Sequence, residues 1–225
     1  MIPLKDNVPT RTLPIITVSI IFVNIIVFLW ERIALHGQAQ EMFYRYYGLV
    51  PREMMVSFIS RHDILPYNVM TIFTSMFLHG GIFHVGGNML YLWIFGNNIE
   101  DRLGHGRFIF FYLISGVFAA VVQVFYDPSS EVPMIGASGA VSGVLGAYLV
   151  IYPYARVKTL LVIIIFIKIV ELPAVLLLTI WFFMQFLYAG VDGIAWYAHI
   201  GGFVFGLIVA KLFVVAGNKR RSAKG

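Results

Sequence analysis

The sequence predicts an all-α membrane protein, a single domain in which six transmembrane helices form a bundle with a long, partly helical first loop. Hydrophobic residues make up 60% of the 225 positions and charged residues only 12%, and the mean hydropathy is +0.85. Soluble domains carry roughly 25% charged residues. A chain of this length cannot bury so much apolar surface in water, because surface area falls too slowly with size. A soluble protein is therefore excluded as the working interpretation.

The apolar runs are predicted to be helices, because about 20 apolar residues at 1.5 Å per residue cross a hydrocarbon core of about 30 Å. Six runs meet or approach this length: Leu13–Leu35, Ile82–Ile99, Phe108–Tyr126, Gly136–Tyr152, Pro173–Tyr188 and Trp196–Val215. The domain 1–225 then has an N-terminal segment (1–12), a six-helix core (13–215) and a basic tail (216–225).

Two connecting segments are apolar yet do not fit a span. The first loop, about residues 36–81, mixes charged with aromatic residues, which favours short amphipathic helices in the membrane interface. The stretch Thr159–Val191 is too long for one helix, at about 50 Å, and too short for two spans with a turn. We expect Thr159–Val170 to be an interfacial or re-entrant segment and Pro173 to begin the fifth span.

The positive charges predict the orientation of the helices. Short loops at Asp101–Arg107 and Pro153–Lys158 carry Arg or Lys, as does the tail, whereas the loops at Asp127–Pro133 and Ala189–Ala195 carry none. By the positive-inside rule both termini are cytoplasmic, in a multi-pass protein of the cell (plasma or inner) membrane. The net charge of +5 is then a sign of orientation, and no nucleic-acid partner is expected.

The helix directions bring three polar residues to one depth. With six spans, the second, fourth and sixth run inward from the outer face, and His84, Ser138 and His199 lie near their respective starts. If Thr159–Val191 formed two spans, His199 would lie on the opposite side of the membrane from Ser138. A serine and histidine pair thus depends on this helix count.

Ser138 lies in Gly136-Ala137-Ser138-Gly139, a setting that suits a nucleophile. A serine hydroxyl needs a base to take its proton, and the start of a helix offers backbone N–H groups to a developing negative charge. The alternative is that these small residues form a helix-packing stripe with Ser138 as an N-cap.

His199 is the candidate base, since imidazole titrates near working pH, and Gly202-x₃-Gly206 can bring its helix close to that of Ser138. The alternative is an interface histidine hydrogen-bonded across helices. His84 and Asn88 are four residues apart, so they share a helix face on which both can donate hydrogen bonds to an oxyanion. A metal site at His79, His84 and His199 would leave Ser138 and Asn88 unexplained.

Together these motifs resemble the rhomboid intramembrane serine proteases. The resemblance is carried by Gly136-Ala137-Ser138-Gly139, His84-x₃-Asn88 and Ala198-His199-Ile200-Gly201-Gly202, in that family's helix order, over about Thr71–Leu212. Each motif alone is weak, but their joint occurrence in this order is highly specific. Gly96…Glu100…Gly104 matches as well, although we expect Glu100 to be structural, holding the turn through Arg102 or free backbone N–H groups.

The resemblance implies a Ser–His dyad without a carboxylate third member, which cleaves transmembrane segments of membrane protein substrates. Ser138 would be the nucleophile, His199 the general base and acid, and His84 and Asn88 the oxyanion donors together with the Ser138 N–H. The fifth span, with Trp181 and Phe182, and the loop before the sixth would form the substrate gate and cap. Some relatives carry an aromatic residue four positions after the nucleophile to stack on the base, where this chain has Ser142.

Two other functions compete with the protease. One is a catalytically inactive rhomboid relative that binds membrane clients without cutting them, and the other is a small transporter or channel that uses His and Asn as a polar pathway. Inverted repeats, a common transporter signature, are not seen in the sequence. No cofactor and no metal are expected, and the absence of cysteine excludes thiolate chemistry.

Overall fold

The computed structural model describes residues 1–60, 65–163, 166–188 and 193–222. Parts of the predicted first loop (61–64), of the loop before the last span (189–192) and of the tail (223–225) lie outside the described residues. The helices are α1 (Ile15–Ala34), α2 (Gln38–Tyr47), α3 (Pro51–Ser60), α4 (Leu65–Thr74), α5 (Ile82–Tyr91), α6 (Asn97–Leu103), α7 (His105–Tyr126), α8 (Ser138–Ile151), α9 (Ala174–Met184) and α10 (Trp196–Ser222).

Three shorter helical segments extend these elements. A 3₁₀ turn, Ser75–Phe77, follows α4, and a π-helical segment, Leu92–Gly96, joins α5 to α6 without a break. A second 3₁₀ turn, Gln185–Tyr188, continues α9. Every apolar run predicted to be a span is therefore mainly helical, and the described residues between α1 and α5 include the three short helices α2, α3 and α4.

The helices identify an integral membrane protein. Within the described residues, three helices are long and apolar enough to cross a bilayer: α1, α7 and the Trp196–Val215 part of α10. Leu65–Phe77 and Ile82–Leu103 would count together as a fourth, although they meet at a bend of 84°. The apolar helices Ser138–Ile151 and Ala174–Leu187 are shorter than a full span. That the chain crosses the membrane six times stays a prediction.

The fold is mostly helical, as predicted, but it also contains a three-stranded antiparallel sheet that the sequence did not predict. Its order is β1 (Ile2–Asp6), β2 (Arg156–Ile163) and β3 (Phe166–Pro173), so strands stand where Thr159–Val170 was predicted to be interfacial or re-entrant. In β2, Val157 and Thr159 are buried while Arg156 and Lys158 are exposed, the two-residue period of a strand. The stretch is largely apolar, so this alternation is hard to recognise in the sequence.

The Asp6 side chain ties β1 to the helices. Its Oδ2 atom accepts hydrogen bonds from Asn98 Nδ2 at 2.7 Å and from the Tyr148 hydroxyl at 2.5 Å. The backbone of β1 pairs with β2, with Ile2 opposite Leu160 and Asp6 opposite Val157. The paired residues are far apart in sequence, so no local sequence pattern predicts that β1 pairs with β2.

Helices α8 and α10 pack backbone against backbone through glycine, as the small-residue spacing predicts. A Cβ atom built on Gly202 would overlap the carbonyl oxygen of Gly139, and one on Gly206 would overlap that of Gly143. On the opposite helix, a Cβ at Gly146 would overlap the Phe203 carbonyl oxygen. Such close approach is available only where side chains are absent, and it fixes the distance between the two helix starts.

Glu100 anchors the start of α1. Its fully buried carboxylate accepts hydrogen bonds from the backbone N–H groups of Ile16 at 2.9 Å and Thr17 at 2.7 Å, and its Oε1 atom lies 2.5 Å from His105 Nδ1. The expected structural role is confirmed, with its partners at the N-terminus of a different helix. The unpaired N–H groups and positive dipole end of α1 explain why a carboxylate is placed there.

Glu100→Ala is expected to destabilise the fold by about 1–3 kcal/mol, because the backbone N–H groups of Ile16 and Thr17, the second of them buried, lose their acceptor. Thermal unfolding in detergent measures this as a lower midpoint. Glu41→Ala removes an exposed carboxylate from α2 and serves as the matched control with no change. Equal midpoints for the two variants would contradict the anchoring role.

Candidate active site

The Ser138 hydroxyl and the His199 imidazole lie within hydrogen-bonding distance. Ser138 is the first residue of α8, and His199 lies in the first turn of α10. Ser138 Oγ is 2.8 Å from His199 Nε2, a contact that joins two residues 61 positions apart in sequence. The glycine contacts between α8 and α10 hold the two backbones close enough for this pair to form.

A left-handed residue shapes the chain just before Ser138. Gly136 has φ of +120°, a conformation that other residues adopt only with strain. A Cβ atom at Gly136 would lie 2.5 Å from His84 Nε2 and 3.6 Å from Ser138 Oγ. The glycine therefore leaves room for the His84 ring beside the serine.

The second nitrogen of His199 contacts Gln185, a residue that was not predicted to belong to the site. His199 Nδ1 lies 2.8 Å from Oε1 of Gln185, in the 3₁₀ turn after α9. The Gln185 side chain is 4% exposed, and its Nε2 donates to the Trp181 carbonyl oxygen at 2.9 Å. The available signal was a single amide within an apolar run, which does not reveal which helix it faces.

No aromatic residue stands four positions after Ser138, where it could pack on the His199 ring. Ser142 occupies that position and donates its hydroxyl to the Ser138 carbonyl oxygen at 2.6 Å. The Trp181 indole is the aromatic neighbour, with its centroid 6.3 Å from that of His199 and tilted by 42°. Trp181 also stacks on Phe203 at 5.8 Å, so α9 and α10 share this contact.

Asn88 is held by a second histidine. Its Nδ2 lies 3.0 Å from His79 Nε2, and the Ala137 backbone N–H donates to the same atom at 3.4 Å. His79 is fully buried, and its ring packs edge-on against His84 at a centroid distance of 4.9 Å. The sequence indicated only that His79 is a polar group nearby, whereas in the structure His79 links Asn88 to Ala137, the residue that precedes Ser138.

The four predicted site residues share one cavity of about 410 Å³. His84, Asn88, Ser138 and His199 all line it, and Trp181 contributes to its wall. The arrangement places a hydroxyl against an imidazole, next to an amide and a second imidazole that can donate hydrogen bonds. The first backbone N–H groups of α8 have no partner within the helix. This combination suits acyl transfer through a serine.

A metal site is not built from these histidines. Within residues 1–60, 65–163, 166–188 and 193–222, no three His, Cys, Asp or Glu side chains form a group that could hold an ion. His79 and His84 are adjacent, but His199 faces Ser138 and Gln185 instead. The geometry therefore groups the histidines around the serine.

Comparisons with known proteins show what this chain is similar to. The family model for the rhomboid domain matches residues 66–216. The chain is 32% identical over 108 residues to yeast (Saccharomyces cerevisiae) Rhomboid protein 1, mitochondrial, covering 44% of this chain and 31% of that protein. It is 30% identical over 169 residues to RHOMBOID-like protein 1 of Arabidopsis thaliana, covering 71% and 39%.

A bacterial relative carries a protease name. The chain is 30% identical over 139 residues to Rhomboid protease GluP of Bacillus subtilis, covering 62% of this chain and 25% of that protein. The matched region spans less than two fifths of each of these three relatives. The residues of this chain that match the family model, 66–216, include Ser138 and His199.

Proposed function

Because this chain belongs to the rhomboid family, we propose that it is an intramembrane serine endopeptidase. It cleaves transmembrane segments of membrane protein substrates with a Ser138–His199 dyad. The observation that carries the proposal is the 2.8 Å contact between Ser138 Oγ and His199 Nε2, which lies at the edge of the cavity that also holds His84 and Asn88.

The dyad performs acyl transfer in two steps. His199 Nε2 takes the Ser138 proton as Oγ attacks the carbonyl carbon of the scissile peptide bond. The tetrahedral intermediate collapses when His199 returns that proton to the leaving amine, which leaves an acyl-enzyme on Ser138. Water then gives a proton to His199, attacks the ester, and releases the second product as His199 reprotonates Ser138.

The oxyanion of the intermediate is stabilised by donors on α5 and α8. Asn88 has a second amide N–H besides the one directed at His79, and neutral His84 has one ring N–H. The Ser138 N–H at the start of α8 is the third donor, supported by the helix dipole. Such prearranged donors are worth more in a site with little water than in bulk solvent.

The membrane explains why a cavity is needed. A peptide bond in a lipid-embedded helix is already hydrogen-bonded and is shielded from water, so hydrolysis requires a wet pocket and local unwinding. The helices α5, α8 and α10 begin on the same side, and with six crossings and both termini cytoplasmic this side is the outer face. The protein would then lie in the plasma or inner membrane and admit water from outside.

The substrate gate is assigned to α9. Trp181 lines the cavity, and Phe182 packs on Phe203 of α10 with centroids 4.9 Å apart. Gly193, Ile194 and Ala195, directly before α10, line the same cavity from the side of the proposed cap. Movement of these aromatic side chains would open a path for a transmembrane segment toward Ser138.

Activity-based labelling tests the proposal directly. Purified protein in detergent is treated with a fluorophosphonate, and the modified residue is located by mass spectrometry. Modification of Ser138 supports the hydrolase, because the reagent requires an activated serine. A client-binding relative without catalysis would bind transmembrane segments and remain unlabelled, which would overturn the proposal.

Asn88→Ala is expected to lower kcat by about 10²–10³-fold with a smaller change in KM, because an oxyanion donor acts mainly in the transition state. The measurement uses a fluorogenic transmembrane peptide that the unaltered enzyme cleaves. Asn68→Ala is the matched control, since Asn68 is a buried asparagine on α4 that bonds to Ser57. Equal losses of kcat in the two variants would show a general effect of destabilisation and count against the role of Asn88.

A further inference from the structure

We propose that Gln185 is the positioning residue of the dyad, holding the His199 ring in the tautomer and orientation that present a lone pair to Ser138. The inference rests on the proposed function, because it assigns a third member to the same site. It gives a role to an amide that would otherwise be an unexplained polar group in an apolar helix.

The hydrogen bond to His199 determines where the proton resides. Gln185 Oε1 lies 2.8 Å from His199 Nδ1, and an amide oxygen can only accept a hydrogen bond. His199 Nδ1 must therefore carry the proton. In the neutral ring Nε2 then has the lone pair, and Nε2 is the atom that lies 2.8 Å from Ser138 Oγ. The opposite tautomer would place two acceptors, Nδ1 and Oε1, against each other.

A second hydrogen bond fixes the direction of the Gln185 amide. Its Nε2 donates to the Trp181 carbonyl oxygen at 2.9 Å, and a carbonyl oxygen cannot accept from Oε1. If the amide were turned over, Oε1 would face the Trp181 carbonyl oxygen, two acceptors would meet, and that hydrogen bond would be lost. The hydrogen-bond network itself thus assigns oxygen to the His199 side.

Burial makes this orientation effective. Gln185 is 4% exposed and lines the same cavity as His199, so only water inside that cavity could compete for its hydrogen bonds. A buried polar group that loses its partner has a large free-energy cost, which disfavours alternative rotamers of both side chains. The Gln185 amide is neutral, so it orients the imidazole and assists the imidazolium through a dipole, where an aspartate would use a full charge.

Gln185 also accounts for the support of His199 in the absence of a stacking aromatic. Ser142, at the position where some relatives carry that aromatic, directs its hydroxyl to the Ser138 carbonyl. Trp181 lies beside His199 with a ring tilt of 42°, so it limits the ring's space without a parallel stack. Of these contacts, only the hydrogen bond to Gln185 sets the orientation of the His199 ring.

The first test determines the tautomer of the His199 ring in the unaltered protein. Protein labelled with ¹⁵N-histidine is examined by NMR at neutral pH, with the His199 signals assigned from a His199→Asn variant. We expect a protonated Nδ1 and an unprotonated Nε2. A His199 ring protonated on Nε2 would overturn the proposal, whatever the activity of the protein.

The second test removes the acceptor. Gln185→Met keeps an unbranched side chain of similar size, and we expect a fall in kcat of about 10²-fold, the lower end of what a positioned base contributes. KM should change little, and the His199 spectrum should show mixed tautomers. Gln185→Glu retains an oxygen acceptor and should restore the Nδ1-protonated form and most of the activity.

Gln123→Met is the matched control for loss of a buried glutamine. Gln123 is 5% exposed, and its Oε1 accepts from the Ala198 backbone N–H at 3.2 Å, next to His199 but without contact to the ring. This variant should lose stability and keep the His199 tautomer. An unchanged tautomer and kcat in Gln185→Met would refute the positioning role while Ser138-dependent cleavage persisted. Absence of that cleavage in the unaltered protein would instead refute the proposed function.

Discussion

Ser138→Ala is expected to abolish both fluorophosphonate labelling and proteolysis, which places it among the largest effects expected of a single substitution in this chain. The methyl group cannot attack a carbonyl, and the 2.8 Å contact with His199 is lost with the hydroxyl. In a serine protease the loss of the nucleophile lowers kcat by about 10⁶-fold. Membranes that contain the active protein should show cleaved transmembrane substrates, and membranes with the variant should show them intact.

Ser142→Ala is the control that isolates the nucleophile. Ser142 lies one helical turn further along α8, and its hydroxyl is also hydrogen-bonded, to the Ser138 carbonyl oxygen. Its loss removes one local hydrogen bond and leaves the Ser138–His199 contact in place, so labelling and cleavage should persist. If Ser138→Ala were still labelled or still cleaved its substrates, another residue would be the nucleophile and the dyad assignment would be wrong.

The same experiment separates the competing functions. An inactive client-binding relative would retain transmembrane clients equally well with and without the Ser138→Ala substitution, and neither protein would react with the fluorophosphonate. A transporter would move a solute across vesicles regardless of Ser138. The protease alone makes both labelling and product formation depend on one hydroxyl.

The pairing of Ser138 with His199 was predictable because it depends on regular features. Helix direction follows from hydropathy and the positions of Arg and Lys, and both residues lie at helix starts marked by glycine. Two helices that begin on the same side and pack through Gly202 bring their first turns together. In the structure the distance between Ser138 Oγ and His199 Nε2 is 2.8 Å, as expected for two such helices.

Gln185 and β1 could not be predicted for two different reasons. The contact of Gln185 with His199 depends on the rotation of α9 about its own axis, and an almost uniformly apolar helix has no polar face to indicate that rotation. The pairing of β1 with β2 joins residues about 150 positions apart, and Asp6 at the end of β1 accepts hydrogen bonds from Asn98 and Tyr148. Both features require tertiary contacts.

The dyad distance depends on the absence of side chains at the helix contact. Gly202 is three residues from His199, and the Gly139 carbonyl that it faces belongs to the residue after Ser138. The backbone contact therefore lies next to both members of the pair. Lipid offers little hydrophobic force to press two helices together, so close packing of small residues has to hold them.

Gly202→Val is accordingly expected to impair stability and chemistry together. Its Cβ would overlap the Gly139 carbonyl oxygen and lie 3.3 Å from Ser142 Cβ, so α8 and α10 must separate. Overpacking of this kind costs about 1–3 kcal/mol or more, and a displacement of about 1 Å at a catalytic pair lowers the rate by about 10²-fold. Thermal unfolding in detergent and the rate of fluorophosphonate labelling measure the two effects.

Gly106→Val is the matched control, because Gly106 is an exposed helical glycine on α7 with no atom within 4 Å of an added Cβ. We expect its labelling rate to equal that of the unaltered protein. A folded Gly202→Val protein that labels at the full rate would show that α8 and α10 can separate without parting Ser138 from His199. The backbone contact would then not be what sets the dyad distance, and the support would have to come from the contacts of His199 with α9.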